Sequence, residues 1–344
     1  MSSKVNLISI AKECNVSHVT VSRILNGKAN LHSSKTVERV EAAAKAQGYR
    51  PNLAAQNMKG KSTKTVGVIM PFGAGDWFSN ASMALQQELI KSRYLPICLG
   101  LSDQSADNLT HLDHLLDRRV DGIIFWPDSD DNNTEALLKQ LSSESIPVVL
   151  MDKEYIAPNH LDFVGSDDYE GGKKVANFLI SLGHSTVLIL GIKGLRTTEK
   201  RKMGFIERFQ GSSGNEISEI DIDIGSGINN ENIEGQIADI LIRKDTPRTI
   251  FCLTDRIAVI ANKMAWKLNI PMPDKLSLMS YGGNNSSYYV HPSITTINQQ
   301  PRGMGKNAAR LLIERMDGIY TNDTARNILI EPVLKIRDSV AQKS

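Results

Sequence analysis

Residues 15–27 read NVSHVTVSRILNG, and this stretch decides how the N-terminal part of the chain folds. Ser17 is a residue type that starts helices well, because its hydroxyl accepts a hydrogen bond from a backbone N–H of the first turn. Apolar residues then recur at helical spacing, and an Asn-Gly pair ends the pattern. The sequence therefore predicts a short helix over 17–25 with polar and basic side chains on its outer face. Its inward-facing residues are Val21, Ile24 and Leu25.

Similar patterns predict one helix on each side of this one, over 7–14 and 33–47. Two short helices joined by a tight turn, with a third packed behind them, are typical of a helix-turn-helix, whose second helix enters the major groove of DNA. A plain three-helix bundle whose polar face meets only water would show the same spacing. The pattern of apolar residues alone does not separate these two interpretations.

Charge favours the DNA-binding interpretation. Residues 1–61 carry ten Lys or Arg and three acidic residues, a net charge of +7, whereas the rest of the chain carries −5. A basic module beside an acidic body is typical of a nucleic-acid-binding protein. A basic segment could also meet a membrane surface, but residues 1–61 contain no Trp or Phe that would insert there. We therefore expect residues 1–50 to be a DNA-binding head.

The outer face of the helix over 17–25 carries side chains that can read base pairs. Arg23 can donate two hydrogen bonds to guanine, and Val19 can pack against the methyl group of thymine. His18 can donate to or accept from base edges. The predicted contacts with DNA therefore begin with these three residues.

The remainder of the chain alternates between apolar strand-like runs and amphipathic helical stretches, of which 78–91, 169–182 and 256–268 are examples. This alternation predicts parallel sheets covered by helices on both faces. About eleven strands are too many for one small sheet, so we expect two similar α/β lobes. The clearest strands are predicted at 66–70, 95–99, 122–126, 147–151, 187–190, 249–253 and 276–280.

Ligands of open α/β sheets bind beyond the carboxyl ends of the strands, and two facing lobes create a cleft at that edge. Aromatic faces there can stack on sugar rings, while Asp and Arg can bind hydroxyl or anionic groups. The same aromatic residues could instead belong to the core, and Asp255 could simply cap the helix that follows it. The candidate effector residues are Phe72, Trp77, Phe78, Trp126, Asp152, Arg201, Thr254 and Asp255.

Two runs in the first 55 residues carry a family resemblance. The run over 15–27 and the run GYRPNLAA over 48–55 resemble the start of the LacI/GalR family of bacterial transcription regulators, and the resemblance continues to about residue 335. It implies an α plus α/β protein with a helix-turn-helix head (1–50), a hinge helix or linker (51–61) and a two-lobed, periplasmic-binding-protein-like α/β body (62–344). The DNA contacts that we predict are Ser17, His18, Val19, Thr20, Ser22, Arg23, Asn26, Asn52, Ala55 and Met58.

The segment 51–60 begins with Pro and ends with Gly, which are typical boundaries of a helix. A helix this short is marginal on its own and should form only against a partner. By resemblance to the family, two such helices lie in the minor groove, where Met58 would be the apolar wedge between base steps. The alternative is a flexible linker in which Met58 has no role in DNA binding.

One departure from the family pattern concerns the effector. The family often has an Asp after the strand at 276–280, where this chain has Gly282. The loss of a carboxylate removes repulsion toward an anion, and Lys153, Arg196 and Arg201 could lie nearby. The sequence therefore favours a sugar acid or a sugar phosphate over a neutral sugar.

These inferences predict a homodimeric transcriptional regulator, most simply a repressor of a carbohydrate-utilisation operon, that binds a palindromic operator and is controlled by a sugar-like effector. The short polar C-terminal tail leads us to expect a dimer rather than a tetramer. No motif implies a cofactor, a metal site or a catalytic group. Three cysteines and the lack of an apolar leader or span lead us to expect a cytoplasmic protein.

Two other function classes share parts of this sequence pattern. A sugar-binding transport protein would have the same two-lobed body, but the DNA-binding head argues against it. A cytosolic sugar-metabolising enzyme would need a catalytic group in the cleft, where Asp152 and Asp255 could serve. An activity screen with the purified protein would separate this enzyme from a regulator.

Overall fold

A computed structural model describes most of the chain in two compact units, Met1–Thr63 and Lys64–Ser344. We call the first unit the head and the second unit the body. The described residues are 6–25, 29–49, 62–71, 75–101, 105–127, 132–153, 161–224, 230–321 and 324–343. The predicted division into 1–50, 51–61 and 62–344 stays a prediction, because the whole segment 51–61 lies outside the described residues.

The described part of the head contains three α-helices around one small core. The side chain of Asn6 caps the first helix, and the side chain of Ser33 caps the third. Ile10, Val21 and Val40, one from each helix, are fully buried against one another. The helices are α1 (Leu7–Glu13), α2 (His18–Leu25) and α3 (Ser34–Ala46), with a 3-10 turn at Ala29–Leu31.

The body contains two sheets of six strands each. We call the first sheet and its covering helices lobe 1. All neighbouring strands of this sheet are parallel, in the order β11-β5-β4-β3-β1-β2. The strands are β1 (Thr65–Met70), β2 (Leu95–Gly100), β3 (Gly122–Phe125), β4 (Val148–Met151), β5 (Asp162–Ser166) and β11 (Asn327–Ile330). The helices of lobe 1 are α4 (Asp76–Lys91), α5 (Ser105–Asp117), α6 (Asn132–Ser143) and α12 (Pro301–Met316).

Lobe 2 repeats this architecture. Its strand order is β12-β10-β9-β8-β6-β7, with only β12 antiparallel to its neighbour. The strands are β6 (Thr186–Ile192), β7 (Glu216–Ile222), β8 (Thr249–Cys252), β9 (Ser277–Gly282), β10 (Thr295–Asn298) and β12 (Val333–Lys335). The helices are α7 (Asp168–Ser181), α8 (Glu199–Gln210), α9 (Asn230–Ile242), α10 (Asp255–Lys267) and α11 (Ser286–Tyr289), and a 3-10 turn covers Arg196–Thr198.

Each sheet is apolar on both faces, as expected of a parallel sheet covered by helices on both sides. In lobe 1, α4 and α12 pack on one face, while α5 and α6 pack on the other. In lobe 2, α9 and α10 cover one face, and α7 and α8 cover the other. The predicted fold class, a helical head followed in the chain by two α/β lobes, is confirmed.

The chain passes between the lobes three times, at 166–168, 298–301 and 330–333. As a result α12 and β11, which come late in the chain, return to lobe 1, while β12 ends in lobe 2. We call these three segments the crossings. Neither lobe is therefore one continuous piece of the chain.

All seven strands that the sequence analysis identified are present, with ends shifted by one or two residues. The strands β5, β7, β10, β11 and β12 were not identified individually. The strand β7 is an edge strand with mostly exposed or half-buried residues, including Glu216 and Glu219. Its composition therefore lacks the apolar run by which buried strands are identified.

Two glycines allow α7 and α8 to cross at close range. A Cβ on Gly204 would lie 2.0 Å from the carbonyl oxygen of Tyr169, and a Cβ on Gly172 would lie 2.0 Å from that of Arg201. Such distances are far below van der Waals contact, so only glycine fits at either position. Arg201 lies in the same helix, three residues before Gly204. The two glycines therefore also determine how close the backbone of Arg201 lies to α7.

We expect Gly204→Ala to destabilise the body by roughly 2 kcal/mol, because the added methyl group must push the two helices apart. Gly235→Ala is the matched control, since Gly235 also lies inside a helix but has open space around its Cβ position. The control should raise stability by about 0.5–1 kcal/mol through its better helix propensity. Urea unfolding followed by circular dichroism measures both changes, and equal effects of the two variants would contradict this account.

Candidate functional site

The start of α2 is set by a side-chain cap. Asn15 adopts a left-handed conformation (φ +47°) that ends α1 and turns the chain. The Oγ of Ser17 then accepts a hydrogen bond from the backbone N–H of Thr20 at 3.0 Å and contacts its hydroxyl at 2.9 Å. The predicted cap is confirmed, and it orients the first turn of α2.

The outer face of α2 is polar and open to solvent. Val19 is the apolar member of this face and is 44% exposed, as a contact with a thymine methyl group would require. Among the predicted DNA contacts, Ser17, His18, Val19 and Arg23 are exposed, and Thr20 and Ser22 are half-buried. The predicted contacts Asn26, Asn52, Ala55 and Met58 lie outside the described residues.

Three aromatic rings meet in lobe 1, beyond the carboxyl ends of β1 and β3. The ring centroids of Trp77, Phe78 and Trp126 lie 5.1–5.2 Å apart. Trp77 is 8% exposed and Trp126 is 1% exposed, and both belong to the core of lobe 1. The indole N–H of Trp77 is buried and finds no acceptor among the described residues. Phe72, the fourth aromatic candidate, lies outside the described residues.

Asp152 follows β4 and joins this aromatic cluster. The indole Nε1 of Trp126 donates to its Oδ2 at 3.3 Å. Burial, and then the nearby carboxylate of Asp168, raise the pKa of Asp152 to about 6. The carboxyl group therefore changes its charge near neutral pH, where an ordinary Asp would stay ionised.

Arg201 is held by a buried network that the sequence analysis did not identify. Its Nη2 and Nε donate to Oδ2 of Asp168 at 2.6 and 3.1 Å, and its Nη1 donates to the carbonyl oxygen of Leu253 at 2.7 Å. Tyr281 and Gln299 donate to Oδ1 of the same carboxylate at 3.0 and 3.1 Å. Burial and the charge of Asp168 raise the pKa of Tyr281, so its hydroxyl stays protonated and acts as the donor.

Thr254 and Asp255 follow β8 and have separate roles. Thr254, and not Asp255, is the cap of α10, because its side chain accepts from the N–H of Ile257. The idea that Asp255 caps the helix is therefore wrong in detail. Its carboxylate, 2% exposed, accepts from the hydroxyls of Ser280 and Thr296 and from the N–H of Asn284.

Gly282 occupies the position where the family pattern often has Asp, and its backbone explains the difference. It has φ +137°, which L side chains rarely adopt, and a Cβ there would lie 2.7 Å from Oδ2 of Asp255. An Asp at this position would also bring a second carboxylate against Asp255. The end of β9 therefore requires glycine at this position in this chain.

The described effector candidates of the two lobes are linked by contacts and by one electrostatic interaction. In lobe 1 Trp77 packs against Trp126, which donates to Asp152. In lobe 2 Arg201 pairs with Asp168 and donates to the carbonyl oxygen of Leu253, two residues before Asp255. Asn284 accepts from the N–H of Trp77 and donates to Asp255, while the carboxylates of Asp152 and Asp168 repel each other. We call this set of interactions the path of contacts. The strand order reverses between β1 and β3 in lobe 1 and between β6 and β8 in lobe 2. Ligand crevices of open α/β sheets form at such reversals.

Comparison with known proteins assigns the chain to a family. Residues 6–52 match the family "Bacterial regulatory proteins, lacI family", and residues 176–340 match a periplasmic binding protein-like domain. The sucrose operon repressor of Streptococcus mutans is 30% identical over 336 residues, which cover 97% of this chain and 99% of that repressor. The chain belongs to the LacI family. A LacI-family relative from Mannheimia succiniciproducens, the HTH-type transcriptional repressor PurR, is 28% identical over 338 residues, covering 96% and 97%.

Solved structures of LacI-family proteins share the fold. The lac repressor dimer bound to operator and the anti-inducer ONPF matches with a TM-score of 0.82 and 22% identity over 98% of this chain and all of that one. The complex of the transcriptional regulator CelR with cellobiose matches with a TM-score of 0.67 and 22% identity, covering 97% and 99%. These likenesses confirm the architecture described above.

This LacI-family protein is a DNA-binding transcriptional repressor, and the alternative of a sugar-metabolising enzyme is excluded by its repressor relatives. Within the described ranges, no three His, Cys, Asp or Glu side chains come together as a metal-ligand set. None of the helices in those ranges combines the length and the apolar character that crossing a bilayer requires.

We expect Asp152→Asn to make the ligand-free protein more stable than the wild type at pH 8, by up to about 3 kcal/mol. A raised pKa means that ionisation in the folded state is unfavourable, so the wild type loses stability as the pH rises from about 4 to about 6. The amide keeps an acceptor for Trp126 and has no charge to bury. Urea unfolding of both proteins between pH 4.5 and pH 8 measures the difference, and a gain that does not vary with pH would contradict this explanation.

Proposed function

We propose that this LacI-family repressor controls a carbohydrate-utilisation operon and is itself controlled by a small sugar-like molecule held between the lobes of the body. The observation that carries this proposal is the path of contacts that joins the described effector candidates of both lobes around one site. A molecule bound there contacts both lobes, so it can favour one lobe arrangement over another. Such differential binding is what an allosteric effector requires.

On the DNA side, we propose that residues 1–50 bind DNA, that 51–61 is the hinge and that 62–344 carries the effector site and the dimer interface. His18, Val19 and Arg23 contact base edges from α2. Thr20, Ser22 and Asn26 fall where the family contacts the DNA backbone, and Ser17 directly precedes the same helix. A homodimer presents two such heads, so its operator is palindromic. Because the protein acts on the bacterial chromosome, we place it in the cytoplasm.

The charges of the site favour a neutral, hydroxyl-rich effector. The guanidinium of Arg201, which the sequence analysis took as a candidate for binding an anion, is already paired with Asp168 at 2.6 Å. Asp152 and Asp255 add two more carboxyl groups, and Lys153 is half-buried beside Asp152. Carboxylates accept hydrogen bonds from sugar hydroxyls, and the rings of Trp77 and Phe78 are suited to pack on a sugar face. The hypothesis of a sugar acid or phosphate is therefore the weaker one.

Sequence-specific DNA binding is tested with Arg23→Ala. A duplex is first selected with the wild-type protein from a library of random palindromes, and affinities for it and for a scrambled duplex are compared. We expect Arg23→Ala to weaken binding to the selected duplex by about 1–3 kcal/mol, because the contact with guanine is lost.

Lys45→Ala is the matched control, since Lys45 is an exposed basic residue on α3 of the same head. It should leave the ratio of the two affinities unchanged. If Arg23→Ala lowers both affinities by the same factor, Arg23 binds only the DNA backbone, and if the wild type selects no sequence at all, the proposed function is wrong.

The effector class is tested by thermal unfolding with a panel of sucrose, cellobiose and ribose against glucose 6-phosphate, gluconate and adenine. A ligand present at 100 times its Kd stabilises the folded protein by about 2.7 kcal/mol, which raises Tm by roughly 5–10 °C. We expect this rise with at least one neutral sugar, and a smaller one with Phe78→Leu. A rise with only the anionic compounds would restore the anionic hypothesis, and a rise with adenine alone would replace the sugar by a flat heterocycle.

A further inference from the structure

Two hydrogen bonds connect the lobes at the start of α4, away from the crossings. The backbone N–H of Trp77 in lobe 1 donates to Oδ1 of Asn284 in lobe 2 at 3.1 Å. In the opposite direction, the backbone N–H of Asn285 in lobe 2 donates to Oδ2 of Asp76 in lobe 1 at 3.2 Å. We call these two bonds the interlobe clasp.

The helix α4 depends on lobe 2 for its cap. The first N–H groups of a helix have no partner inside the helix, and the residue before it usually supplies one. Here that residue is Gly75, which has no side chain and makes no side-chain cap. Asn284, 207 positions after Trp77, supplies the acceptor instead. One half of the clasp is thus a helix cap provided by the opposite lobe.

Asn284 is itself held firmly in lobe 2. Its backbone N–H donates to Oδ2 of Asp255 at 2.6 Å, and its carbonyl oxygen accepts from the hydroxyl of Ser287 at 2.6 Å. Gly282 and Gly283, both with left-handed φ values, bend the chain so that these bonds form. With its backbone fixed by lobe 2, only the side chain of Asn284 reaches lobe 1.

The clasp also acts on a predicted effector residue. The N–H that Asn284 accepts from belongs to Trp77, whose ring packs against Phe78 and Trp126. Trp126 in turn donates to Asp152. Loss of the cap would therefore loosen the first turn of α4 and with it the position of the Trp77 ring.

We propose that Asn284 is a positioning residue that holds the two lobes in the arrangement of this structure and places Trp77 for the effector. Through this contact, binding of a molecule at Trp77 changes the arrangement of the lobes. This regulatory step rests on the proposed function. The positioning itself is a property of the ligand-free protein. The two parts can therefore be tested separately.

The test compares Asn284→Ala with Asn285→Ala in the full-length protein. Asn284 contributes a side chain to the clasp, whereas Asn285 contributes only its backbone N–H, which alanine keeps. Asn284 is half-buried and Asn285 is exposed, and the two are neighbours in the same loop, so Asn285→Ala controls for changes in the loop itself.

In the first measurement, the exposed residues Lys139 of lobe 1 and Lys244 of lobe 2 are each replaced by Cys and spin-labelled, and the distance between the two labels is measured. The background is Cys98→Ser, because Cys98 is the native cysteine that is not buried. The second is amide hydrogen exchange of the peptide that begins α4. Asn284→Ala should add a second distance population and speed exchange at the start of α4 roughly five-fold, the effect of losing one helix cap. Exchange in β8 should stay unchanged, which shows that the variant is folded. If distances and exchange match those of Asn285→Ala, Asn284 has no positioning role.

The third measurement is affinity for the duplex selected with the wild-type protein. Asn284→Ala should change this affinity at least three-fold relative to Asn285→Ala, since the two lobe arrangements differ in their coupling to the head. If the lobes separate but this affinity is unchanged, the regulatory step is wrong while the proposed function stands. If none of the proteins prefers any duplex, the proposed function itself fails, and the first two measurements still decide the positioning role.

Discussion

The carboxylate of Asp168 ties several elements of the body together at the place where the chain first crosses from lobe 1 to lobe 2. Arg201, Tyr281 and Gln299 donate to it from three different elements. A buried ion pair with satisfied hydrogen bonds is costly to break, since either partner alone would be a buried charge without compensation. Gln299 lies at the second crossing, so one carboxylate links two of the three crossings.

The third crossing is joined to the other two through its backbone carbonyl groups. The N–H of Asp167 donates to the carbonyl oxygen of Ile330 at 3.0 Å, and the side-chain Nε2 of Gln300 donates to that of Glu331 at 3.0 Å. The three crossings are therefore hydrogen-bonded to one another, and Asn284 connects the lobes at a separate place. The effector candidates lie on the path of contacts between these two connections. A molecule bound among them is thus in a position to affect how the lobes are arranged about the crossings.

Much of the fold could be predicted because most strands of the body are buried on both faces and therefore form apolar runs. The prediction missed strands whose residues are partly polar. In β5, Asp162 begins the strand, and its carboxylate is paired with Arg315 and Arg326, which are distant in sequence. Because β5 was missed, Asp168 just after it was not among the candidate residues. Polar residues in a strand are tolerated only when partners from elsewhere satisfy them, and local sequence does not show those partners.

The sequence by itself determined the features that depend on neighbouring residues. These are the Ser17 cap, the helical spacing of the head, its basic charge and the alternation of strands and helices. Only the tertiary structure decided the state of the site, in which Arg201 is neutralised by a residue 33 positions away and Trp77 is capped by one 207 positions away. The physical reason is the distance along the chain over which each kind of interaction acts. Caps, turns and periodicity act within a few residues, whereas the charge and shape of a site between two lobes depend on side chains that meet only when both lobes have packed.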